Sequence, residues 1–514
     1  MIASNEQSEC CVVYVSRVIW NYAIKILEVL SRGANQTRCV ISVRLTSESV
    51  HVTISDTAVE DRIRDFEGGG RLMDESQVLK PEPAKSGRKS ISFACAVLNC
   101  LSAGSLSIFS LYPLEFQGKL AYTQVQVNAV SIAGELGMYL IVPFFGWFCD
   151  RRGPRPVSLI AGVLFALGYV IASLAYATHQ AYYIMMLGFV FVGAATSAMY
   201  LSAVTTCAKN HLDRPGLALS IPITAFGVSS LWQAQVAVKF FSEDDGSLNC
   251  GNLFFFFALL LGLVGLIGAF GLKVVPTDLS DEVQPLIRDD HSVNRLDALE
   301  RMRRRVLKDR SMRLFAIALF LVAGPAEMFL NNMGSLIHVY PEKTDPAPHV
   351  SMVAFTSTVA RISSGLLADW FATRGFSRMW LLIAFTALMA FTHFYIASGV
   401  WTTDIQSRFY VASSTLGLGY GAVFTLMPTL VPIVWGAQQF GTVWGALSPV
   451  VALGAVIYGT LYAFLYDAAA GQDGLCFGWR CYRVSFLVNG LSVTMGLIVW
   501  IILWQVWRLR KIRV

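Results

Sequence analysis

Twelve apolar runs dominate this chain, and each is long enough to cross a bilayer as a helix, which takes about 20 residues. A bilayer interior offers no water to backbone amides, so a spanning segment of this length must satisfy its own hydrogen bonds as an α-helix. The sequence therefore predicts an all-α, polytopic membrane protein with twelve transmembrane helices. The runs cover residues 90–111, 127–148, 156–176, 182–203, 217–238, 253–275, 314–337, 350–371, 380–397, 411–434, 440–466 and 484–504.

The composition agrees with a membrane protein. Hydrophobic residues make up 55% of the 514 positions and charged residues only 14%, whereas a soluble domain carries about 25% charged residues. The net charge of +6 does not indicate a nucleic-acid partner, because the basic residues lie in short loops beside apolar runs. The sequence has no phosphate-binding loop, zinc-protease motif or nucleophile elbow. We therefore predict neither enzymatic activity nor a cofactor or metal.

A short pattern recurs after the second and the eighth runs. In each copy a glycine ends the run, an aspartate follows four residues later, and a basic loop comes next. A repeat in corresponding positions predicts two pseudo-symmetric six-helix bundles around a shared cavity. The residues are Gly146, Asp150, Arg151, Gly153 and Arg155 in the first copy, and Gly365, Asp369 and Arg374 in the second.

These two turns predict a conformational latch. An aspartate at a helix end can accept hydrogen bonds from the N-terminus of a facing helix or pair with a base, and a glycine lets that helix approach closely. Such contacts would hold the cytosolic side closed and break when it opens. The alternative is a positively charged loop without a latch. We expect the second copy to be weaker, because Trp370 stands where the first copy has Arg151.

Lysine and arginine placement predicts the orientation. The basic residues before the first run, after the second and fourth runs, in the central stretch and in the tail all fall on one side, so both termini are expected to be cytosolic. The predicted domains are a poorly ordered segment 1–85, a bundle 90–275, a basic linker 276–313, a bundle 314–505 and a basic tail 506–514. Within the first segment, residues 39–55 alternate weakly, as a strand does.

The central linker carries a candidate sorting signal. Glu282 lies four residues before the pair Leu286 and Ile287, which is the form of a dileucine signal for lysosomes or vacuoles. The linker is then a candidate binding site for adaptor proteins, and the alternative is a solvated linker. The basic residues of 301–313 are expected at the membrane surface, where each cation near anionic lipid contributes about 1 kcal/mol.

Arg361 is the leading candidate for substrate binding. It lies eight residues before Asp369, which places it about 12 Å above the cytosolic helix end at the rise of an α-helix. This is near the midplane, where transporter sites lie. A guanidinium there can bind a substrate carboxylate through two parallel hydrogen bonds. The alternative is a salt bridge within the protein.

Other polar residues at membrane depth have two interpretations each. Glu135 and Glu327 are candidates for carrying a coupling proton, or they are partners for helix ends. Asn331 and Asn332 line the cavity in one interpretation, and they hold helices together in the other. Cys476 and Cys481 share a loop on the non-cytosolic side, and in an oxidising lumen they can form a disulfide. Free thiols are the alternative.

These motifs resemble those of major facilitator transporters. The segment 361–369 resembles helix 8 of the monocarboxylate transporters, and the resemblance implies that Arg361 binds a substrate carboxylate. The aspartate of that family four residues before the arginine is Ser357 here, and the first run lacks the family's lysine. A wider resemblance is to the fungal monocarboxylate transporter homologues, the MCH proteins, and is carried by residues 101–106, 137–140, 150–156, 324–334, 440–445 and 481–483.

The resemblance implies a major facilitator fold and a vacuolar membrane. The expected function is secondary active transport of a small organic solute across the lipid bilayer by alternating access, with carboxylates as a candidate class of solute. The alternatives are a non-transporting solute sensor with the same fold and an amino-acid facilitator. The alternative location is the plasma membrane.

Overall fold

A computed structural model describes residues 40–45, 50–55, 83–243, 247–275, 306, 308–337, 339, 347–403, 405–469 and 476–512. Within these ranges, twelve helices are long and apolar enough to cross a membrane. The predicted all-α membrane fold is confirmed. We number the helices α1 (Pro83–Ser102), α2 (Gln124–Arg152), α3 (Pro154–Ala177), α4 (Tyr182–Asn210), α5 (Pro215–Phe241), α6 (Cys250–Gly271), α7 (Arg310–Ile337), α8 (Ala347–Thr373), α9 (Met379–Ser398), α10 (Ile405–Trp435), α11 (Phe440–Ala469) and α12 (Arg483–Leu509).

The helices differ from the predicted runs mainly at their ends. Most continue past the apolar stretch, as α4 does by extending to Asn210, because polar residues at a helix end can bond neighbouring elements at the membrane surface. The first run is divided. Its α-helical part ends at Ser102, and a 3₁₀ helix, Ala103–Leu111, continues it with non-helical backbone angles at Gly104.

The N-terminal segment contains a hairpin. Strands β1 (Val40–Leu45) and β2 (Val50–Ser55) pair antiparallel, with Val43 opposite Val52. The alternation noted in residues 39–55 corresponds to these strands, and the low order expected for residues 1–85 stays a prediction. The hairpin belongs to a unit separate from the helical unit of residues 92–514. The other residues before Pro83 lie outside the described part of the chain.

The two sets of six helices pack in the same pattern. In the first half, α2 packs on α4, and α3 packs on α4 and α6. In the second half, α8 packs on α10, and α9 packs on α10 and α12, which is the same arrangement six helices later. The halves meet through two helix pairs, α2 with α11 and α5 with α8, and the repeat also relates these pairs to each other.

The outer surface suits a lipid environment. Leu140 is 68% exposed, Phe270 74% and Phe464 70%, and each lies within a membrane helix. Large apolar side chains on a water-exposed surface would favour aggregation or a partner, whereas in a bilayer they contact lipid tails.

Candidate functional site

Asp150 joins the end of α2 to the start of α11. Its carboxylate accepts hydrogen bonds from the backbone N–H groups of Gly441, at 3.2 Å, and Thr442, at 2.5 Å. These are among the first N–H groups of α11, which have no acceptor within their own helix. Lys209 Nζ lies 2.7 Å from Asp150 Oδ1, and the two side chains are only 4% and 9% exposed. A buried ammonium from α4 thus neutralises the carboxylate.

Asp369 makes the corresponding contact in the other direction. It accepts hydrogen bonds from the N–H groups of Gly216, at 2.9 Å, and Leu217, at 2.8 Å, at the start of α5. Arg378 Nη2 lies 3.8 Å from its Oδ1. Because α2 and α8 cross the membrane in the same direction and each aspartate lies at a C-terminal end, both contacts are on one membrane surface.

Glycine permits the close helix approach behind the first contact. A Cβ atom at Gly146 would lie 2.0 Å from the carbonyl oxygen of Gly441, so any larger residue would force α2 and α11 apart. Gly365 has the same relation to Gly216, with its added Cβ 2.7 Å from the Gly216 carbonyl oxygen. The glycines of both sequence copies therefore lie where the halves touch.

The predicted basic residues of the two turns do not pair with the aspartates. The Arg151 guanidinium lies 5.4 Å from the centre of the Trp147 ring, and that of Arg374 lies 5.3 Å from the Trp370 ring. Each arginine follows its tryptophan by four residues, so the two side chains share one helix face and form a cation–π pair. Both aspartates have two backbone donors, so Trp370 does not reduce the number of bonds in the second copy.

Two other residues of the first turn have local roles. Arg155 Nε donates to the carbonyl oxygen of Leu272, at 3.2 Å, where α6 ends. Gly153 separates α2 from α3 with φ +91°, a backbone conformation that L side chains rarely adopt. These residues shape the turn within the first half and do not bridge the halves.

Arg361 connects the halves at greater depth. Its Nη1 donates to the carbonyl oxygen of Ile223 on α5, at 2.9 Å. A Cβ atom at Gly227, one turn further along α5, would lie 2.5 Å from this Nη1, so glycine provides the room for the guanidinium. Arg361 Nε is buried and has no hydrogen-bond partner. One donor of the guanidinium therefore holds the protein together while another is unused.

Tyr420 on α10 lies between Arg361 and Glu327. The Arg361 Cζ atom is 5.9 Å from the centre of the Tyr420 ring, and the Tyr420 hydroxyl donates to Glu327 Oε1 at 2.9 Å. Glu327 is within electrostatic range of Arg361 and of Glu135 on α2. Tyr139, one turn from Glu135, is within range of both glutamates. Residues from α2, α7, α8 and α10 thus form one polar cluster between the halves.

The remaining predicted residues lie elsewhere or outside the described chain. Asn332 Nδ2 donates to the carbonyl oxygen of Met328 in its own helix, at 2.9 Å, so this amide group is used within α7, and Asn331 is exposed. Cys476 and Cys481 are joined by a disulfide before α12. Glu282, Leu286, Ile287 and the basic residues 301–305 lie outside the described residues.

Sequence reasoning missed several residues of these contacts. Lys209 is one of the basic residues after the fourth apolar run, and its position in the sequence gives no sign that it is buried against Asp150. The position of Arg378 in the sequence likewise gives no sign that it lies beside Asp369. Tyr420 had a usable signal, since it is a single tyrosine between Gly419 and Gly421 inside an apolar run. Gly227 had none, because a glycine in an apolar helix usually marks packing.

Two pseudo-symmetric six-helix halves, joined by reciprocal aspartate contacts at one membrane surface and with a polar cluster between them, define the class of secondary transporters. Residues 93–459 match the Major Facilitator Superfamily, and the chain belongs to that family. Among solved structures, it is similar to the proton:xylose symporter XylE, with TM-score 0.61 and 14% identity over 80% of this chain and 95% of that one. It is also similar to FucP in the outward conformation, with TM-score 0.55 and 16% identity over 80% and 99%.

Curated fungal proteins are more similar in sequence. "Probable transporter mch1" of Aspergillus fumigatus is 34% identical over 82% of this chain and 86% of its own length. The protein of the same name in Neurospora crassa is 34% identical over 82% and 90%. "Probable transporter MCH1" of Saccharomyces cerevisiae is 30% identical over 82% and 94%. The resemblance to the MCH proteins is thereby confirmed.

Proposed function

We propose that this protein is a secondary transporter of a small organic solute that carries a carboxylate, with Arg361 as its carboxylate ligand. The observation that carries the proposal is the buried Nε of Arg361, which has no acceptor. A buried donor without a partner costs about 1–3 kcal/mol. A bound carboxylate would remove that cost. Family membership and the transporters among the relatives support the transport role.

The guanidinium geometry is suited to this ligand. Nη1 is used by the Ile223 carbonyl oxygen, and it lies on the side of the guanidinium facing away from the Nε–H bond. The edge formed by Nε and Nη2 therefore remains for the paired hydrogen bonds that a carboxylate accepts from arginine. For a substrate carboxylate to reach the buried Nε, the Arg361 side chain must move. That movement would also affect the bond to α5.

The positions at which the halves are joined support alternating access. The hydrogen bonds of Asp150, Asp369 and Arg361 all connect the halves. They therefore join the halves from the membrane surface that carries the two aspartates down to the depth of Arg361. We propose that this surface is cytosolic and that the latch residues hold it closed. A carboxylate that draws Arg361 away from Ile223 removes one of these bonds. Ligand binding then shifts the equilibrium between the closed and open states.

The proposed location is the vacuolar membrane, with both termini in the cytosol. The distribution of basic residues supports the orientation, and the dileucine pattern in the linker with the similarity to MCH proteins supports the membrane. An adaptor protein would then bind the linker. Replacing Leu286 and Ile287 with alanine in a fluorescently tagged chain is expected to move it to the plasma membrane, and an unchanged vacuolar signal would remove the motif from the proposal.

Counterflow in proteoliposomes tests the transport role. Vesicles loaded with one organic acid at a time are expected to accumulate the labelled form of a transported acid. Arg361→Lys keeps the charge but loses the planar fork, so uptake should fall at least about 10-fold. Arg408→Lys is the matched control, since this exposed arginine donates to the Val400 carbonyl oxygen and belongs neither to the latch nor to the cluster. Binding without exchange would identify a sensor, and normal uptake by Arg361→Lys would remove Arg361 from the site.

A further inference from the structure

The polar cluster contains more acidic than basic groups. Glu327 and Glu135 approach it from α7 and α2, while Arg361 is the one cation within electrostatic range of Glu327 in its described surroundings. A substrate with a carboxylate alone would add a second excess negative charge beside Glu327 and Arg361, whose side chains are partly buried. Uncompensated charge in such a site is costly. The arrangement is therefore poorly matched to a simple monocarboxylate.

The geometry separates an anion-binding end from a cation-binding end. Arg361 lies over the face of the Tyr420 ring, and Glu327 lies at the hydroxyl of the same ring. The Arg361 guanidinium and the Glu327 carboxylate are thus separated by the Tyr420 side chain. Tyr139 lies near both glutamates, and aromatic faces favour ammonium groups. A ligand that spans Tyr420 meets a positive group at one end and negative groups at the other.

We infer that the substrate carries both a carboxylate and an amino group, as amino acids do, with the carboxylate at Arg361 and the ammonium group at Glu327 and Glu135. This inference rests on the proposed transport function and specifies its substrate class. A zwitterion adds no net charge to the site, and each of its ends meets the opposite charge. A protonated glutamate with a monocarboxylate would give the same total charge, so the experiment must separate these two cases.

Matched compounds that lack one charged group separate them. Two sets are used in counterflow with the full chain in proteoliposomes. One set is leucine, isocaproate and isoamylamine, and the other is phenylalanine, hydrocinnamate and phenethylamine. In at least one set, the amino acid is expected to exchange at least about 10-fold faster than either truncated compound.

The other outcomes are decisive as well. A carboxylate that exchanges as fast as its amino acid overturns the inference and leaves the proposed function intact. An amine that exchanges as fast as its amino acid, with no effect of Arg361→Lys, overturns both. Exchange of none of the six compounds also overturns the inference, and the organic-acid counterflow then decides the proposed function on its own.

Variants test the assignment of the amino end. Glu327→Gln is expected to reduce amino-acid exchange at least about 10-fold and to reduce the preference for the amino acid over its carboxylate analogue. Glu135→Gln should shift the preference in the same direction and serves if the first variant does not fold. Asp213→Asn, in an exposed loop, is the control. An unchanged preference in both glutamate variants would overturn the inference.

Stabilisation by ligand gives a second readout without transport. A compound that binds the folded protein raises its unfolding temperature in proportion to the logarithm of its concentration. The exchanging amino acid is expected to stabilise the detergent-solubilised protein, and its carboxylate analogue should do so less at equal concentration. Glu327→Gln should remove this difference. Equal stabilisation by the two compounds would count against the amino end.

Discussion

The contacts of Asp150 and Asp369 predict separate effects on conformation and on stability. Each aspartate accepts two backbone hydrogen bonds from the opposite half. In the proposed mechanism, alanine at either position removes both bonds from the closed state, and the open state does not contain them. At about 1–1.5 kcal/mol for each bond, the closed state should lose about 2–3 kcal/mol. That corresponds to a roughly 30- to 150-fold rise in the fraction of open molecules.

Ser220 offers a reporter of opening. It is fully buried, and a Cβ atom at Gly365 in the other half would lie 2.5 Å from its side chain. A cysteine at this position should react with a bulky thiol reagent only when the halves separate. The labelling rate of the purified Ser220→Cys protein, corrected for the protein without that cysteine, therefore measures the open fraction. Both Asp150→Ala and Asp369→Ala are expected to increase it.

Stability should respond to one aspartate more than to the other. Asp150→Ala leaves the Lys209 ammonium, 4% exposed, without its counter-ion in both states, and breaking such a pair costs about 3–5 kcal/mol. Arg378 is 12% exposed and lies 3.8 Å from Asp369, so leaving this arginine without its counter-ion in Asp369→Ala should cost less stability. Asp150→Ala should thus lower the unfolding temperature more, and adding Lys209→Met should restore it while labelling stays fast.

Two results would refute this reasoning. Labelling rates within about twofold of the parent for both alanine variants would mean that the aspartate contacts do not set the open fraction. A combined Asp150→Ala and Lys209→Met protein as unstable as Asp150→Ala alone would mean that the unpaired ammonium is not the source of the instability. In each case the corresponding contact would be incidental to the closed state.

Two further predictions concern single positions. Gly227→Ala should displace the Arg361 guanidinium from Ile223, because the new Cβ would lie 2.5 Å from Nη1. Substrate exchange should then fall about 10-fold. Gly459→Ala is the control, because its new Cβ would meet no atom within 4 Å, and it should leave exchange unchanged. Burial alone would raise the pKa of Asp309, but hydrogen bonds from Ser311, Arg510 and Trp435 prevail and lower it. Asp309→Asn should therefore cost about 1 kcal/mol at neutral pH, and this loss should disappear as the pH falls through the depressed pKa. Unfolding temperatures of Asp309→Asn and its parent that differ equally at all pH values would contradict this.

The sequence predicts the fold well because its two strongest signals depend on short stretches. Apolar length alone locates a membrane helix, and the spacing of Gly146 and Asp150, with its second copy, locates the repeat. Helix ends are less predictable, because they depend on contacts with other elements. Asn210, for example, lies beyond the fourth apolar run, where its side chain donates to the Lys273 carbonyl oxygen.

The site is only partly predictable for the same reason. Arg361 and Glu327 are found because a charge in an apolar run is rare. The surroundings of each charge come from other helices, so the link through Tyr420 and the room left by Gly227 depend on how the helices pack and not on any one stretch of sequence. The basic residues near the two aspartates show which contacts the sequence could not predict. Arg151 and Arg374 are near the aspartates in sequence, but their tryptophans hold them, whereas Lys209 reaches Asp150 from a helix remote in sequence.

The bond between Arg361 and the Ile223 carbonyl has a consequence for leakage. A transporter that reorients readily without bound substrate lets a solute gradient run down. Each return of the substrate-free protein completes a cycle that has moved one solute molecule down its gradient. In this protein the Arg361 guanidinium, which is the proposed substrate ligand, also bonds the two halves together through the Ile223 carbonyl oxygen. If the proposed mechanism is correct, the empty protein would therefore reorient slowly. Transport should then require bound substrate in both directions and favour one-for-one exchange between the compartments.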